Sequence, residues 1–332
     1  MRQAISEGKK ALKRSAASVP KTTTTTRKPS AVASAGGRWI VGVATGVSGV
    51  RRYRLFKPTV LSKKGSAHPL IVMLHGCGQS AADFAASTRM NRLAEQYGFM
   101  VLYPEQDRLA NPQSCWNWFD ARGGRALREA SSIVAALDHA CAAQPAIDPS
   151  RVAIAGLSAG ASMAALVALT FPKRFAAVIM HSGVEPTSAS SAATALAAMR
   201  GHYLLTSPVV PSESPMALPA LLVIQGSADN VVLRANGMRA AQAWAARTHA
   251  VPQAARVVRR GQRYPFTTMD WLGPKRHLQV SLREIEGLGH AWSGGAASQA
   301  FSDPKGPDAS RMVWAFAQKQ FDLPAHMLKQ DL

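Results

Sequence analysis

From Arg38 onward, apolar residues recur in two rhythms: short near-continuous runs, and longer stretches with helical spacing. Pro69–Leu74 (PLIVML) is a run of the first kind, ending at His75-Gly76 as a strand buried on both faces of a parallel sheet should. Phe99–Pro104, Val152–Ala155, Ala176–Met180, Ala220–Gln225 and Gln279–Glu284 repeat it. Tyr53–Lys57 reads as another strand, and the glycine-rich Trp39–Val50 as a strand with its turn. Helical spacing covers Ala81–Tyr97 with Gly98 as C-cap, then Arg125–Ala143, Ala161–Leu169, Arg234–Arg247 and Pro307–Phe321. Strands alternating with helices need crossovers, so the pattern predicts an α/β chain: a mostly parallel central sheet with helices on both faces. One domain is expected over residues 38–325. The Ser-, Ala- and Pro-rich stretch 185–219 is predicted to be an insertion over the site, and 326–332 a short tail.

Composition changes this picture only at the amino end. With 47% hydrophobic and 17% charged residues, the chain can bury a substantial core, which excludes wholesale disorder. No uninterrupted apolar run reaches about 18 residues, so no transmembrane helix is predicted. Residues 1–37 differ: a threonine run at Thr22–Thr26 leads into Arg-Lys-Pro and a Ser/Ala/Gly stretch that cannot repay the entropy of ordering. They are expected to form a disordered basic tail, without the layout of a secretory signal. The formal net charge of +20 is concentrated before Gly65, with a second knot at Arg256, Arg259, Arg260 and Arg263. No zinc-finger, RNP or bZIP pattern accompanies these clusters, so no specific nucleic-acid partner is expected. Polyanion binding through the tail is the reading from outside the enzymes. Three cysteines, Cys77, Cys115 and Cys141, give neither a dense disulfide framework nor a CxxC metal site, and no metal is expected.

The candidate chemistry centres on Gly156-Leu157-Ser158-Ala159-Gly160, a G-x-S-x-G placed between a predicted strand and a predicted helix. Ser158 would occupy a strained elbow where bulky neighbours clash, above a helix N-terminus that favours developing negative charge. A serine hydroxyl needs a base, and the base an orienting carboxylate. In the α/β-hydrolase fold their chain order is Ser, acid, His. Asp229, after the strand Leu221–Gln225, and His290, in a glycine-flanked loop, satisfy that order; Asp303 and Asp308 follow the histidine and break it. The backbone N–H groups of Ala159 and Cys77 are the expected oxyanion donors. His75 is expected to brace the oxyanion loop, and His181 either to line the pocket or to serve the core. Trp116, Trp118 and Trp292 read either as an apolar wall against substrate or as core packing.

Taken together, Leu74–Asp83 (LHGCGQSAAD), Tyr103–Gln106, Cys115–Phe119 (CWNWF), Gly156–Gly160 and Gly289–Gly295 (GHAWSGG) resemble the poly(3-hydroxybutyrate) depolymerase family of esterases, over roughly Tyr53–Phe321. Members resemble feruloyl and acetylxylan esterases in fold. The resemblance implies a single α/β-hydrolase domain and hydrolysis of carboxylic esters, either short-chain polyester such as hydroxybutyrate oligomers or small acyl esters. A carbohydrate esterase of the feruloyl or acetylxylan type is the alternative, and a prolyl-oligopeptidase-like peptidase another. No cofactor is implied. Relatives are usually secreted, whereas no convincing signal stands here, which leaves a cytoplasmic location open. Because Cys77 and Cys115 lie in motifs expected at the same rim, a disulfide between them is expected to pin the oxyanion loop to the Trp116–Trp118 loop, leaving Cys141 as a thiol.

Overall fold

The computed structural model describes residues 36–61, 67–203, 218–274 and 276–323. The tail expected over 1–37 thus falls almost wholly outside the described residues, as do 204–217 of the expected insertion and the terminal stretch 326–332. Two strands, β1 (Arg38–Gly46) and β2 (Gly49–Lys57), form an antiparallel hairpin. There follow β3 (His68–Leu74), α1 (Ala81–Thr88), α2 (Met90–Tyr97), β4 (Met100–Pro104), α3 (Arg125–Ala143), β5 (Ile147–Leu157) and α4 (Ala159–Thr170). The second half supplies β6 (Ala177–His181), α5 (Ala192–Met199), β7 (Ala220–Gly226), α6 (Ala235–Arg247), β8 (Val251–Pro252), β9 (Arg256–Val258), β10 (Phe266–Leu272), β11 (Leu278–Ile285), the short pair β12 (Trp292–Ser293) and β13 (Ser302–Asp303), and α7 (Ala309–Phe321).

Strand order in the main sheet is β1-β2-β4-β3-β5-β6-β7-β11-β10-β8, with β9 also on β10. The six strands from β4 to β11 are mutually parallel, and antiparallel strands close both edges. Alternation along β3 explains its unbroken apolar run. Leu70, Val72 and Leu74 enter the core shared with α3 and α4, while Ile71 and Met73 enter the one built from α1, α2 and α7. Parallel strands align their carboxyl ends, so the loops after β3, β5, β6, β7 and β11 emerge at one edge.

The single helix expected over Ala81–Tyr97 is broken at Arg89. Ser80 opens α1 with a capping box to Asp83, and Arg89, at φ 55°, closes it through an N–H bond to the Ala85 carbonyl. The break frees two peptide oxygens for other donors. The Ser87 carbonyl accepts from Ala296 N–H (2.9 Å) and Ser302 Oγ (3.2 Å), and the Thr88 carbonyl from Ser310 Oγ (2.7 Å). The Arg89 guanidinium donates to the Gly294 carbonyl. Long-range contacts therefore override a good helical period and tie this helix junction to the segment carrying His290.

Of the expected insertion, residues 185–203 and 218–219 are described. Its helix α5 is fastened to the loop after Asp229 by Leu233 N–H and Asn236 Nδ2 donating to the Met199 carbonyl.

Candidate active site

Ser158 stands between β5 and α4 at φ 56°, ψ −121°, and its N–H donates to the His181 carbonyl at the end of β6 (2.9 Å). Glycine is required on both sides for a steric reason. A Cβ on Gly160 would lie 2.3 Å from the Leu74 carbonyl oxygen and 2.5 Å from that of His75. One on Gly156 would lie 2.3 Å from the Gly160 carbonyl. The close approach sets α4 directly against the end of β3, which places the serine beside the loop starting at His75.

The acid loop after β7 is stitched to the loop after β11. Ser227 N–H donates to Ile285 O (2.9 Å) and Ala228 N–H to Leu288 O (3.0 Å). In that frame the His290 Nδ1–H donates to Asp229 Oδ2 (2.8 Å), while Oδ1 accepts from Val231 and Val232 N–H (3.0 and 2.9 Å). Burial by itself raises the Asp229 carboxyl, but the bond and charge of His290 and the two backbone donors outweigh it, so its pKa falls below the ordinary value. An ionised Asp229 at Nδ1 leaves the lone pair of the neutral ring on Nε2, the tautomer a general base needs. The imidazole keeps 11% of its surface and Asp229 none.

Ser158 Oγ and His290 make no direct hydrogen bond among the described residues. His181 links the two halves. Its carbonyl holds the Ser158 N–H, its Nε2 accepts from Ser293 N–H (3.1 Å), and its ring stacks on Trp292 at 5.0 Å. Since Nε2 accepts, the proton sits on Nδ1 and faces Ser182 Oγ (3.2 Å). Burial, then the nearby His290, push its pKa down to about 3 against a smaller opposing pull from Asp229. The folded state thus holds His181 neutral while the unfolded chain protonates it, and stability falls as pH drops from 6.5 towards about 3. The expected cost is on the order of 4 kcal/mol. Urea midpoints for wild type and His181→Gln at neutral pH and near pH 4 check this: the variant should lose much of the acid sensitivity, and equal slopes would refute it.

The loop after β3 is held from behind by a buried polar network. His75 Nδ1–H donates to Gly76 O (2.9 Å), and its Nε2 accepts from Gln106 N–H (3.1 Å). Gln106 Nε2 donates to Glu129 Oε1 (2.8 Å) and Cys115 O (3.0 Å), and its Oε1 accepts from Arg51 Nη1 (2.8 Å). Glu129 also accepts from the backbone and side chain of Asn117. The disulfide Cys77–Cys115 spans the same two loops, with Cα atoms 4.3 Å apart, and Cys141 is a free thiol. The N–H groups of Cys77 and Ala159 make no hydrogen bond among the described residues, so both are available to an incoming oxyanion. No group of three or more His, Cys, Asp or Glu among the described residues could hold a metal ion.

The sequence profile of the family described as "Esterase PHB depolymerase" matches residues 52–267. The chain belongs to that family. The match includes Ser158 and Asp229 and ends before His290, so the histidine rests on geometry. Among curated relatives of this family member, poly(3-hydroxyalkanoate) depolymerase C of Paucimonas lemoignei is 40% identical over 132 residues, 40% of this chain and 31% of that protein. Feruloyl esterase B of Neurospora crassa is 35% identical over 142 residues, 41% of this chain and 46% of that one. The chain thus matches less than half the length of these relatives. Acetyl xylan esterase from Aspergillus awamori superposes with a TM-score of 0.63 at 21% identity, over 76% of this chain and 94% of the other. An S-formylglutathione hydrolase from Agrobacterium tumefaciens gives 0.54 at 17% identity, over 86% and 94%. At such identities the likeness shows the fold alone: the family member has the α/β-hydrolase fold.

The expected aromatic wall is corrected in this family member. Trp116, Trp292 and His181 have no accessible surface, and Trp118 keeps only 5%. A buried indole must place its N–H. Trp116 donates to the His75 carbonyl (3.0 Å) under the Arg51 guanidinium, and Trp292 donates to Ser310 Oγ (3.0 Å) while packing edge-on against Phe84. These rings brace the loops after β3 and β11 rather than line a cleft. Asp308 is used as the N-cap of α7 and Asp303 accepts from Lys305 N–H. Sequence reasoning had Gln106 only as part of a family motif with no role, missed Glu129, and counted Arg51 in the basic surplus although it is 5% exposed and bonded through Nε and Nη1. A lone glutamate on the alanine-rich face of α3 was the available signal.

Proposed function

We propose that this chain is a serine carboxylic ester hydrolase working through an acyl-enzyme. Ser158 Oγ attacks the ester carbonyl carbon as His290 Nε2 takes its proton, with Asp229 holding the imidazole and stabilising its positive charge. The carbonyl oxygen, now anionic, is held by Cys77 and Ala159 N–H. His290 then delivers the proton to the alcohol oxygen, the C–O bond breaks and the alcohol leaves. Water, deprotonated by His290, attacks the acyl-Ser158 and releases the acid. The observation that carries this reading is the elbow: a serine at positive φ, locked by two steric glycines, at the sheet edge where the His290–Asp229 pair also emerges.

Family membership supports short-chain polyester, such as hydroxybutyrate oligomers, or small acyl esters as substrates. The likeness to feruloyl esterase B and to an acetyl xylan esterase supports an acylated carbohydrate as the second reading. A phosphonate ester that mimics the tetrahedral state should abolish turnover and add one phosphonyl group, located by fragmentation to Ser158. Inactivation with the label on another residue would reject the assignment. A panel from acetyl to octanoyl esters, with feruloyl ester and hydroxybutyrate trimer, separates the two substrate classes.

A further inference from the structure

A second concavity, with a volume of about 880 Å³, lies between α2, α7 and the outer strands β9, β10 and β11. None of Ser158, Asp229 and His290 lines it. Eight arginine and lysine side chains line it, against one carboxylate, Asp308. Some of these cations are already engaged: Arg256 pairs with Asp270 (2.9 Å) and Arg311 with Asp308 (3.6 Å). Arg92, Arg260, Arg283 and Lys319 have no carboxylate partner among the described residues.

Arg283 is the most informative of the four. Its guanidinium lies over the Phe266 ring at 5.9 Å, and its buried Nε has no hydrogen-bond partner among the described residues. Burial opposes its charge, Asp270 supports it, and Arg260 and Arg256 oppose it again, the balance lowering its pKa. A buried donor left unpaired among like charges is costly for the fold. The cost is recovered when an anion enters, and arginine's planar fork suits phosphate oxygens.

The shape narrows the ligand. A recess of this volume suits a small molecule rather than a nucleic-acid duplex or a bilayer face. Four unmatched cations around one recess call for several negative charges in a small space. Linked phosphoryl groups supply that, whereas sugar acids carry one charge per ring. We propose that this cavity binds a linear oligophosphate of three or more linked phosphoryl groups. Two sources carry that chemistry: an inorganic polyphosphate chain and the triphosphate of a nucleotide.

Titration calorimetry of the full chain at about 0.15 M salt tests the proposal with inorganic tripolyphosphate, ATP and orthophosphate. Tripolyphosphate should bind one saturable site, and Arg92→Gln with Arg260→Gln should weaken it at least about tenfold. Removing two charges elsewhere, with Arg122→Gln and Arg128→Gln, both exposed and outside the lining of the cavity, should leave it unchanged, as should turnover of p-nitrophenyl butyrate in the Arg92/Arg260 variant. ATP binding as tightly as tripolyphosphate assigns the nucleotide source, and much weaker binding assigns the inorganic chain. Equal weakening in both double variants, orthophosphate binding as well as tripolyphosphate, or saturation only by a single-stranded oligonucleotide would each overturn the proposal. Should the arginine pair fail to fold, Lys319→Gln, exposed on α7, gives the same comparison.

Discussion

Ser158→Ala is expected to lower kcat for p-nitrophenyl butyrate on the order of 10⁴- to 10⁶-fold while leaving the melting temperature near wild type. Without the nucleophile, the oxyanion donors and binding contacts alone remain, and water must attack directly. The fold should tolerate the change because alanine keeps the Cβ and the Ser158 N–H bond to His181 O is main-chain. The serine hydroxyl makes no hydrogen bond among the described residues that the variant would lose. Wild-type kcat in the alanine variant would show that another residue performs the attack.

Gly160→Ala should be the second most damaging change, and for a different reason. One methyl group placed 2.3 Å from the Leu74 carbonyl and 2.5 Å from that of His75 forces α4 away from β3. Overpacking of this kind costs about 1–3 kcal/mol. The displacement also separates Ser158 from the Cys77 N–H, the proposed oxyanion donor, and an error near 1 Å costs about a hundredfold in rate. Gly289→Ala is the contrast. It adjoins His290, yet its added Cβ would have nothing within 4 Å. Thermal melts and steady-state kinetics of the pair should show the first variant impaired in both and the second close to wild type. Equal behaviour would remove the steric account of the elbow.

Much of this architecture could be read from residue pattern because each part obeys a local rule. β3 and β5 announce themselves as unbroken apolar runs since both of their faces are covered. The elbow shows as two glycines around a serine because a Cβ cannot fit there, and the order of Asp229 and His290 follows from which strands precede them. Other parts depend on partners distant in sequence. Arg89 carries no glycine or proline signal, so the helical period runs straight through the break. In β10, Phe266 packs on one face of the sheet and Met269 and Trp271 on the other, with Thr267, Thr268 and Asp270 between, so the strand shows neither an unbroken apolar run nor a clean alternation, and β8 and β9 are too short to show any pattern. A tryptophan's spacing cannot say whether its ring meets solvent or the interior, and so Trp116 and Trp292 were read two ways. Arg51 and Glu129 look like surface charges until Gln106 is placed between them.

The leftover peptide oxygens of Ser87 and Thr88 have a consequence for how the histidine loop can change over generations. The Thr88 carbonyl serves Ser310 whatever side chain follows it, but the Ser87 hydroxyl also bonds Ser302 Oγ (2.9 Å), so at Ser87 both main chain and side chain hold the tether. Variation is therefore constrained on both sides, at Ser87 as well as at Ser302 and Ser310, and by the chain length between the two donors. Drift in this family member should be slowest where hydroxyl meets hydroxyl.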